Sequence, residues 1–326
     1  MAWTVAVTGP TGDIGISAVT ALDRHPEIGR VIGMARRPFD PSDQGWSKVE
    51  YRQGDILDRA AVDALVADAD IVVHLAFIIM GSREDSARVN LAGTRNVFEA
   101  AVAAERPRRL VYTSSVAAYG YHSDNPVPIT EDVPTRGSPE HYYSEQKSAC
   151  EAILAEITSG SGLEVFVLRP CIVAGPKAPA LAEVMPWNSL PDAVRKMSRA
   201  VPALKPPFPD PGTPVQLVHH DDVAAAIALA ATTSAPPGAY NLAGDGVLSM
   251  SDVGAALGAR PVPVPRFVVS AASEVIARLP FVPSGLEWLH AGRTSTVMDT
   301  TKAKSQLGWT PEYTAAETLE GLAESI

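Results

Sequence analysis

The chain has 326 residues, of which 46% are hydrophobic and 20% are charged, and its formal net charge is -10. This length and composition suffice for a large buried core, and the acidic balance disfavours nucleic acids and anionic membranes as partners, because phosphate binding needs clustered Lys and Arg. The two cysteines, Cys150 and Cys171, form neither a disulfide framework nor a metal-ligand spacing. Without a signal peptide or an apolar run of the roughly 18 residues that a membrane helix requires, we expect a cytoplasmic protein that acts on a small molecule.

The amino-terminal half of the chain alternates short apolar strands with helices. The spacing of apolar residues predicts strands over 3–8, 30–35, 49–52, 70–75, 109–113 and 163–168, and helices over 14–24, 59–67, 84–104 and 139–158. The strands are nearly continuous apolar runs, which is typical of a sheet that is covered on both faces. The alternation therefore predicts an α/β fold with a doubly wound parallel sheet.

The pattern changes after Gly175. Residues 176–214 are proline-rich and irregular, with one amphipathic segment at 192–199, and we expect them to cap a pocket. A strand at 215–218, a helix at 223–231 and a strand at 239–242 follow, and from residue 249 the chain is mostly helical. We predict a core domain of residues 1–175, rejoined by about 215–245, and a smaller, mostly helical substrate domain of residues 176–214 and 246–326.

A glycine-rich loop lies between the first predicted strand and the first predicted helix. Its glycines are three residues apart in the run from Thr8 to Gly15. Glycines are needed where a strand turns into a helix whose amino-terminal amides face a pyrophosphate, because side chains there would block its approach. This context predicts a dinucleotide site rather than an ordinary glycine turn. The residues expected to contact the cofactor are Gly9, Thr11, Gly12, Asp13, Ile14 and Gly15.

The end of the second strand bears on which dinucleotide binds. NAD sites commonly carry an acid about 20 residues after the loop, where it binds the ribose hydroxyls, but here Arg36 and Arg37 stand at that point. A guanidinium suits a 2′-phosphate, so we expect NADP, with NAD as the alternative if the arginines are only solvated surface charges. Asp55, followed by Ile56, is placed either to accept from the adenine amino group or to cap a turn.

Two further motifs carry the candidate chemistry. Tyr143 and Lys147 are four residues apart in a predicted helix, so that both side chains lie on one face of it. The pKa of a free tyrosine, about 10, is too high for acid–base work at neutral pH, but a nearby ammonium and an oxidised nicotinamide ring would lower it. Ser114 and Ser115 end a predicted central strand, where open α/β sheets place their ligands. A serine hydroxyl there could donate to a substrate oxygen as charge develops on it.

Together these motifs resemble the extended short-chain dehydrogenase/reductase family, which is also known as the NAD-dependent epimerase/dehydratase family. The matching segments are residues 8–15, 54–55, 74–76, 89–94, 114–120, 143–147, 168–170, 219–224 and 299–311. The resemblance implies a Rossmann fold in which Tyr143 is the general acid/base and Lys147 binds the nicotinamide ribose. It also implies that Ser115 polarises the substrate oxygen, a role that Ser114 could share.

The same resemblance implies several supporting contacts. Leu75 and Ala76 would line the cofactor groove after the fourth strand. Asn90 would order the site through a backbone contact, or alternatively would serve only in packing. Tyr142 lacks a lysine four residues further on, since Gln146 stands there, which leaves Tyr143 as the acid–base residue. The alanine-rich helices at 84–104 and 139–158 match helices that often pair across a dimer axis, so a homodimer is implied.

The site residues do not separate reduction, oxidation, epimerisation and dehydration, because these reactions share a first hydride transfer. Sugar-nucleotide members of the family commonly carry an asparagine where this chain has Ile172. The cap contains Met185, Trp187, Leu190 and Phe208, which suit an apolar substrate unless they pack the core of the small domain. We therefore favour a ketoreductase or alcohol dehydrogenase. A sugar-nucleotide epimerase or dehydratase with bound NAD is the first alternative, and a non-catalytic NADP sensor is the second.

The run from His219 to Asp222 contains residue types that bind metal ions. Because adjacent residues of a strand point to opposite faces of a sheet, we expect these side chains not to converge, and we predict no metal site. Asp221 or Asp222 is expected to cap the helix that starts at Val223.

Overall fold

A computed structural model describes residues 2–79, 82–185, 187, 204–265 and 294–326. The amphipathic segment predicted at 192–199 and the cap residue Leu190 lie outside these ranges. The strands are β1 (Trp3–Thr8), β2 (Ile28–Ala35), β3 (Val49–Gln53), β4 (Ile71–His74), β5 (Arg109–Thr113), β6 (Glu164–Pro170), β7 (Ile172–Ala174), β8 (Pro207–Asp210), β9 (Pro214–Val215), β10 (Leu217–His219), β11 (Gly238–Leu242), β12 (Leu248–Ser249) and β13 (Arg260–Pro263).

Seven of these strands form a central sheet in the order β3-β2-β1-β4-β5-β6-β11. All neighbours in the sheet are parallel, so the predicted doubly wound sheet is confirmed. The strand order reverses between β1 and β4, which opens a crevice at the carboxyl ends of these two strands. The strand predicted at 215–218 does not join this sheet, because β9 pairs with β12 and β10 pairs with β7.

The helices are α1 (Gly15–Arg24), α2 (Arg59–Ala67), α3 (Arg83–Ala87), α4 (Thr94–Ala103), α5 (Tyr142–Thr158), α6 (Ala180–Glu183), α7 (His220–Thr232), α8 (Met250–Ala256) and α9 (Ala315–Glu324). A π-helical turn, Arg88–Gly93, joins α3 to α4, so the long helix predicted at 84–104 is continuous. Within the described ranges, no helix combines the length and the hydropathy that crossing a bilayer would need.

The core lies on both faces of the sheet. Val5 and Val7 of β1 pack in one buried cluster with residues of α1 and α7. Ala6, which points the other way, packs in a second cluster with residues of α2, α4 and α5. Successive side chains of a strand alternate between the two faces. Most of the strands are therefore largely apolar, as the sequence indicated, whereas β3 at the edge of the sheet has Glu50, Arg52 and Gln53 among its residues.

The carboxyl-terminal part of the chain divides between two apolar clusters. Met298, Leu307 and Trp309 belong to the cluster that contains α1 and α7, and the indole nitrogen of Trp309 donates to the carbonyl of Asp222 over 2.9 Å. Residues of α6, α8 and α9 form a smaller cluster of their own. Residues 298–309 thus add to the core beside the sheet, and the division into two domains stays a prediction.

A buried ion pair joins helix α5 to the sheet. The side chains of Glu151 and Arg169 are 8% and 9% exposed, and their nearest charged atoms are 2.6 Å apart. The Ser114 hydroxyl donates to Glu151 over 2.5 Å. On the other side, Arg169 donates to the Tyr119 hydroxyl, which donates in turn to Asn241. These contacts connect α5 with the carboxyl ends of β5, β6 and β11.

We expect Glu151→Gln to lower the free energy of unfolding by about 3–5 kcal/mol, because the substitution leaves the Arg169 guanidinium buried without a counter-ion. Urea denaturation followed by circular dichroism measures the change. The matched control is Arg95→Met, which removes two exposed ion pairs: the side chains of Arg95 and Glu99 are each 39% exposed, and that of Glu156 is 67% exposed. The control should cost less than about 1 kcal/mol, and equal losses in the two variants would contradict the prediction.

Candidate active site

A cavity of about 380 Å³ lies at the carboxyl edge of the sheet. Its wall combines the glycine loop, the ends of β4 and β5, the start of α5 and the segment that follows β6. Of the residues predicted from the sequence, its lining includes Gly9, Gly12, Asp13, Ile14, Gly15, Leu75, Ser114, Ser115, Tyr143 and Lys147. Thr11, Arg36, Arg37, Asp55, Ile56, Ala76 and Asn90 lie outside that lining. The fold therefore brings the predicted phosphate loop and the predicted catalytic residues to one place.

The three glycines of the loop have different surroundings. Gly9 has a φ of +75°, and a Cβ on it would lie 2.8 Å from the backbone of Ala76. A Cβ on Gly15 would lie 2.2 Å from the carbonyl oxygen of Gly9. A Cβ on Gly12 would have its nearest neighbour at 3.7 Å. Gly9 and Gly15 are therefore required by the fold of the loop itself, whereas a methyl group at Gly12 would make only an ordinary van der Waals contact, so the packing of the loop does not explain this glycine and a close approach of phosphates would.

The loop leads into a helix end that suits an anion. The N-cap of α1 is Ile14, no side chain caps this terminus, and its first turn contains no acidic residue. Free amides and the helix dipole both favour a negative group at such a terminus. Asp13 precedes the helix, and its pKa is raised by burial and by Glu183, with His220 opposing. The loop and the helix end together fit the pyrophosphate of a dinucleotide.

Tyr143 and Ser115 meet at the wall of the cavity. Burial raises the pKa of Tyr143 to about 12, while its hydrogen bond with Ser115 acts in the opposite direction. Ser115 is itself held in place, because its hydroxyl oxygen accepts from the backbone amide of Ala117 over 3.2 Å. The two hydroxyls can therefore contact one substrate oxygen, as expected of an acid–base group and a polarising donor.

Lys147 lies one helical turn from Tyr143, on the same face of α5. Its ammonium donates to the carbonyl of Thr113 over 2.9 Å and lies 3.8 Å from the ring centroid of Phe77. Burial lowers the pKa of Lys147 to about 8, with Cys150 and Glu151 opposing the shift. Because this value is above 7, the ammonium keeps its charge in most molecules at neutral pH and can stabilise a phenolate nearby.

Other predicted residues support the site without reaching the cavity. The side chain of Asn90 forms two hydrogen bonds with the backbone of Ile78, at 2.8 and 2.9 Å. These contacts hold the segment that follows β4. The Tyr142 hydroxyl donates to the carbonyl of Ile79 over 2.7 Å. The Ser114 hydroxyl donates to the Glu151 carboxylate. It could donate to a substrate oxygen together with Ser115 only if that hydrogen bond broke.

The residues predicted to select the dinucleotide lie away from the cavity. Arg36 and Arg37 are exposed, and within the described ranges neither forms an ion pair. The carboxylate of Asp55 accepts from the amide of Leu57 over 3.0 Å, which is the turn-capping contact, and Ile56 is buried at 6% exposure. The two guanidinium groups therefore have no ion-pair partner among the described residues, and their role in selecting NADP stays a prediction.

Two expectations for the run from His219 to Asp222 are wrong, namely that its side chains do not converge and that Asp221 or Asp222 caps a helix starting at Val223, whereas the absence of a metal site stays a prediction. Strand β10 ends at His219 and helix α7 begins at His220, so the alternation of a strand does not apply across the junction. Potential ligand atoms of His219, His220 and Asp221 all lie within 4.8 Å of one another. The helix is capped by His219, which accepts from the amide of Asp221, while the Asp222 carboxylate accepts from the backbone amides at 312–313.

The apolar residues predicted in the cap have a structural role. Met185 and Trp187 are 8% and 6% exposed, and Phe208 packs against their cluster. The indole nitrogen of Trp187 donates to the carbonyl of Leu257 over 2.8 Å, and its ring meets that of Phe208 at 5.5 Å. The apolar wall of the cavity is formed instead by residues that sequence reasoning did not single out, including Val173, Ala178, Ala180, Leu181 and Val184.

Two aromatic residues of the lining were also not predicted. Phe77 follows the Leu75–Ala76 pair, and Tyr121 follows the matched segment 114–120. Their position directly after these motifs is the only signal that could have identified them. The ring of Phe77 meets that of Tyr143 edge to face at 5.6 Å, so it contacts both members of the Tyr–Lys pair.

Comparison with known proteins identifies the family of the chain. The model of the NAD dependent epimerase/dehydratase family matches residues 5–243. An uncharacterized protein of Sinorhizobium fredii, y4nG, is 28% identical over 96% of this chain and 76% of its own length.

Solved structures share the fold. The enzyme WbmG of Bordetella bronchiseptica in complex with NAD is 21% identical, with a TM-score of 0.70 over 100% of this chain and 94% of that one. The UDP-glucose 4-epimerase of Thermotoga maritima with UDP-glucose is 20% identical, with a TM-score of 0.72 over 99% of this chain and 98% of that one. At identities this low, the likeness establishes a shared fold and nothing beyond it.

We expect Gly12→Ala to weaken dinucleotide binding by roughly tenfold while the protein stays as stable as the wild type, since the added methyl group fits the loop but occupies the approach of the phosphates. Fluorescence titration with NADPH and NADH, together with thermal denaturation, measures both effects. The matched variant Gly15→Ala should instead lose roughly 1–3 kcal/mol of stability. Unchanged binding of both dinucleotides to Gly12→Ala would refute the assignment of the loop.

Proposed function

This chain belongs to the NAD-dependent epimerase/dehydratase family, and on that premise we propose that it is an NAD(P)-dependent oxidoreductase. It transfers a hydride between the nicotinamide and a carbonyl or alcohol carbon of a small, apolar substrate. The observation that carries the proposal is the hydrogen bond between Ser115 and Tyr143, at the wall of the cavity that also contains Lys147 and the glycine loop.

The residues of the chain have distinct tasks in such a reaction. When bound, the dinucleotide supplies or accepts the hydride. Tyr143 gives its proton to the substrate oxygen in reduction and takes it back in oxidation, and Ser115 donates to the same oxygen as negative charge develops there. Burial keeps Tyr143 protonated, with a pKa of about 12, which is the form that reduction needs. The Lys147 ammonium, 5.9 Å from the ring centroid of Tyr143, favours the phenolate that remains.

The glycine at position 12, which packing does not require, and the uncapped end of α1 support dinucleotide binding. In this proposal the loop holds the pyrophosphate, Lys147 binds the nicotinamide ribose, and Arg36 and Arg37 bind the 2′-phosphate of NADP. The exposure of both arginines supports NADP. NAD is the alternative, and it is supported by the NAD bound to WbmG.

The lining of the cavity favours an apolar substrate. Its apolar residues include Ile172, Val173, Leu181 and Val184, and Lys147 is the one cation among the described residues of the lining. A diphosphate is commonly held by several cationic or amide groups. These features support a ketoreductase or an alcohol dehydrogenase.

The second candidate is an NDP-sugar epimerase or dehydratase that uses bound NAD. It is supported at least as well by the family to which the chain belongs and by the UDP-glucose bound to the Thermotoga maritima epimerase. The Ser115–Tyr143–Lys147 arrangement serves either reaction, because both begin with hydride transfer at an oxygen-bearing carbon. We further propose a cytoplasmic homodimer that pairs through α4 and α5, which lie side by side.

We expect Tyr143→Phe to lower kcat by about 10²- to 10⁴-fold, because it removes the proton donor. The dinucleotide Kd should change by less than about threefold. Activity is measured with NADPH or NADH against a panel of ketones and aldehydes, and with NAD against UDP-sugars. Tyr142→Phe is the matched control, because the Tyr142 hydroxyl donates to the carbonyl of Ile79. This variant should keep most of the activity. Retention of turnover by Tyr143→Phe would exclude it as the acid–base residue.

We expect wild-type protein to bind NADPH more tightly than NADH, and Arg36→Ala to lose roughly tenfold in affinity for NADPH alone. Titration of nicotinamide fluorescence in both proteins measures these affinities. If NADH binds as well as NADPH, or if purified protein carries NAD, the NADP proposal fails and the sugar-nucleotide reaction becomes the leading candidate.

A further inference from the structure

Tyr121 lines the same cavity as Tyr143 but has no task in the chemistry above. Its backbone is held on both sides. Its amide donates to the Ser138 hydroxyl over 2.8 Å, and its carbonyl accepts from the Thr294 hydroxyl over 3.4 Å. Gly120, directly before it, has a φ of +81°, a conformation that side chains rarely adopt. These contacts fix the backbone of Tyr121, and with it the Cα atom that carries the side chain.

The ring of Tyr121 is positioned by His141. The two ring centroids are 5.3 Å apart, with the planes at 67°. The same imidazole meets the ring of Tyr143 at 6.3 Å, so the two tyrosines flank one histidine. Because His141 is the N-cap of α5, Tyr121 is tied to the helix that carries Tyr143 and Lys147.

The hydroxyl of Tyr121 is a polar group of the lining that the chemistry above does not use. Within the described ranges, the contacts of Tyr121 go through its backbone and its ring, and its hydroxyl has no hydrogen-bond partner. The hydroxyls of Ser114 and Ser115 are engaged by Glu151 and Tyr143. Burial raises the pKa of Tyr121 further above its ordinary value, with Tyr143 adding to the shift, so this phenol stays neutral and acts as a hydrogen-bond donor.

We propose that Tyr121 forms a polar subsite for a second oxygen of the substrate, carried by a carbon next to the one that reacts. The proposal rests on the function proposed above, in which Ser115 and Tyr143 hold the reacting oxygen. A fixed donor in a wall that is mainly apolar discriminates strongly, because a substrate without the second oxygen leaves the phenol unpaired. The substrate class is then a carbonyl compound with a neighbouring oxygen, of which a hydroxy ketone is the simplest example.

The test compares two probes that differ only in this oxygen, acetophenone and 2-hydroxyacetophenone. Their affinities for wild-type protein saturated with NADP⁺ are measured by isothermal titration calorimetry, or with NAD⁺ if that is the cofactor that binds. We expect the hydroxy ketone to bind roughly fivefold more tightly, as one hydrogen bond provides. Tyr121→Phe should abolish the difference and leave the affinity for acetophenone within about twofold. Tyr142→Phe, which also removes one phenol hydroxyl, should keep the difference.

The outcomes separate the subsite from the reaction. If wild-type protein shows no preference, including no binding of either ketone, or if Tyr121→Phe retains the preference, the subsite is refuted. If the preference is present and lost in Tyr121→Phe but neither ketone is reduced, the subsite stands and the reductase proposal fails. Thermal denaturation checks that the variant is folded, and Tyr121→Leu, which also lacks the hydroxyl, must give the same loss of preference.

Discussion

The buried ion pair between Glu151 and Arg169 is the interaction on which the geometry of the site depends. Glu151 lies on α5 one turn after Lys147 and two turns after Tyr143, so all three share one face of the helix. Arg169 lies near the end of β6, and the same carboxylate accepts from Ser114 at the end of β5. An unpaired charge is costly in the interior. The pair therefore favours the one register in which the face of α5 that carries Tyr143 and Lys147 meets the ends of β5 and β6.

The second constraint is the reversal of strand order between β1 and β4. It opens the crevice into which the glycine loop, the end of β4 and the end of β5 all lead. Burial in this crevice shifts the pKa of Tyr143 upwards and that of Lys147 downwards, because a low dielectric disfavours charge on either group. The site therefore holds a phenol whose pKa is about 12 beside a lysine whose pKa is about 8, and these are the groups to which the proposed proton transfer is assigned.

Sequence reasoning failed where a local rule was carried across a boundary or where a residue type suited two roles. His219 and His220 lie at a junction of strand and helix, so the alternation that keeps neighbours apart in a strand did not hold. Met185 and Trp187 are large and apolar, as a substrate pocket or a core would equally require. They pack in the core, because residues of α8 and α9 form a buried apolar cluster with them.

The sequence by itself determined the order of strands and helices along the chain, the glycine loop and the Tyr143–Lys147 pair. These features follow from steric rules and from the periodicities of strand and helix, which act over a few neighbouring residues. Only the tertiary structure decided that Ser115 meets Tyr143, that Glu151 meets Arg169, and that Tyr121 lines the cavity. These residues are distant in the chain or lie in a loop, and their contacts depend on strand order and on the packing of α5, which no local pattern specifies.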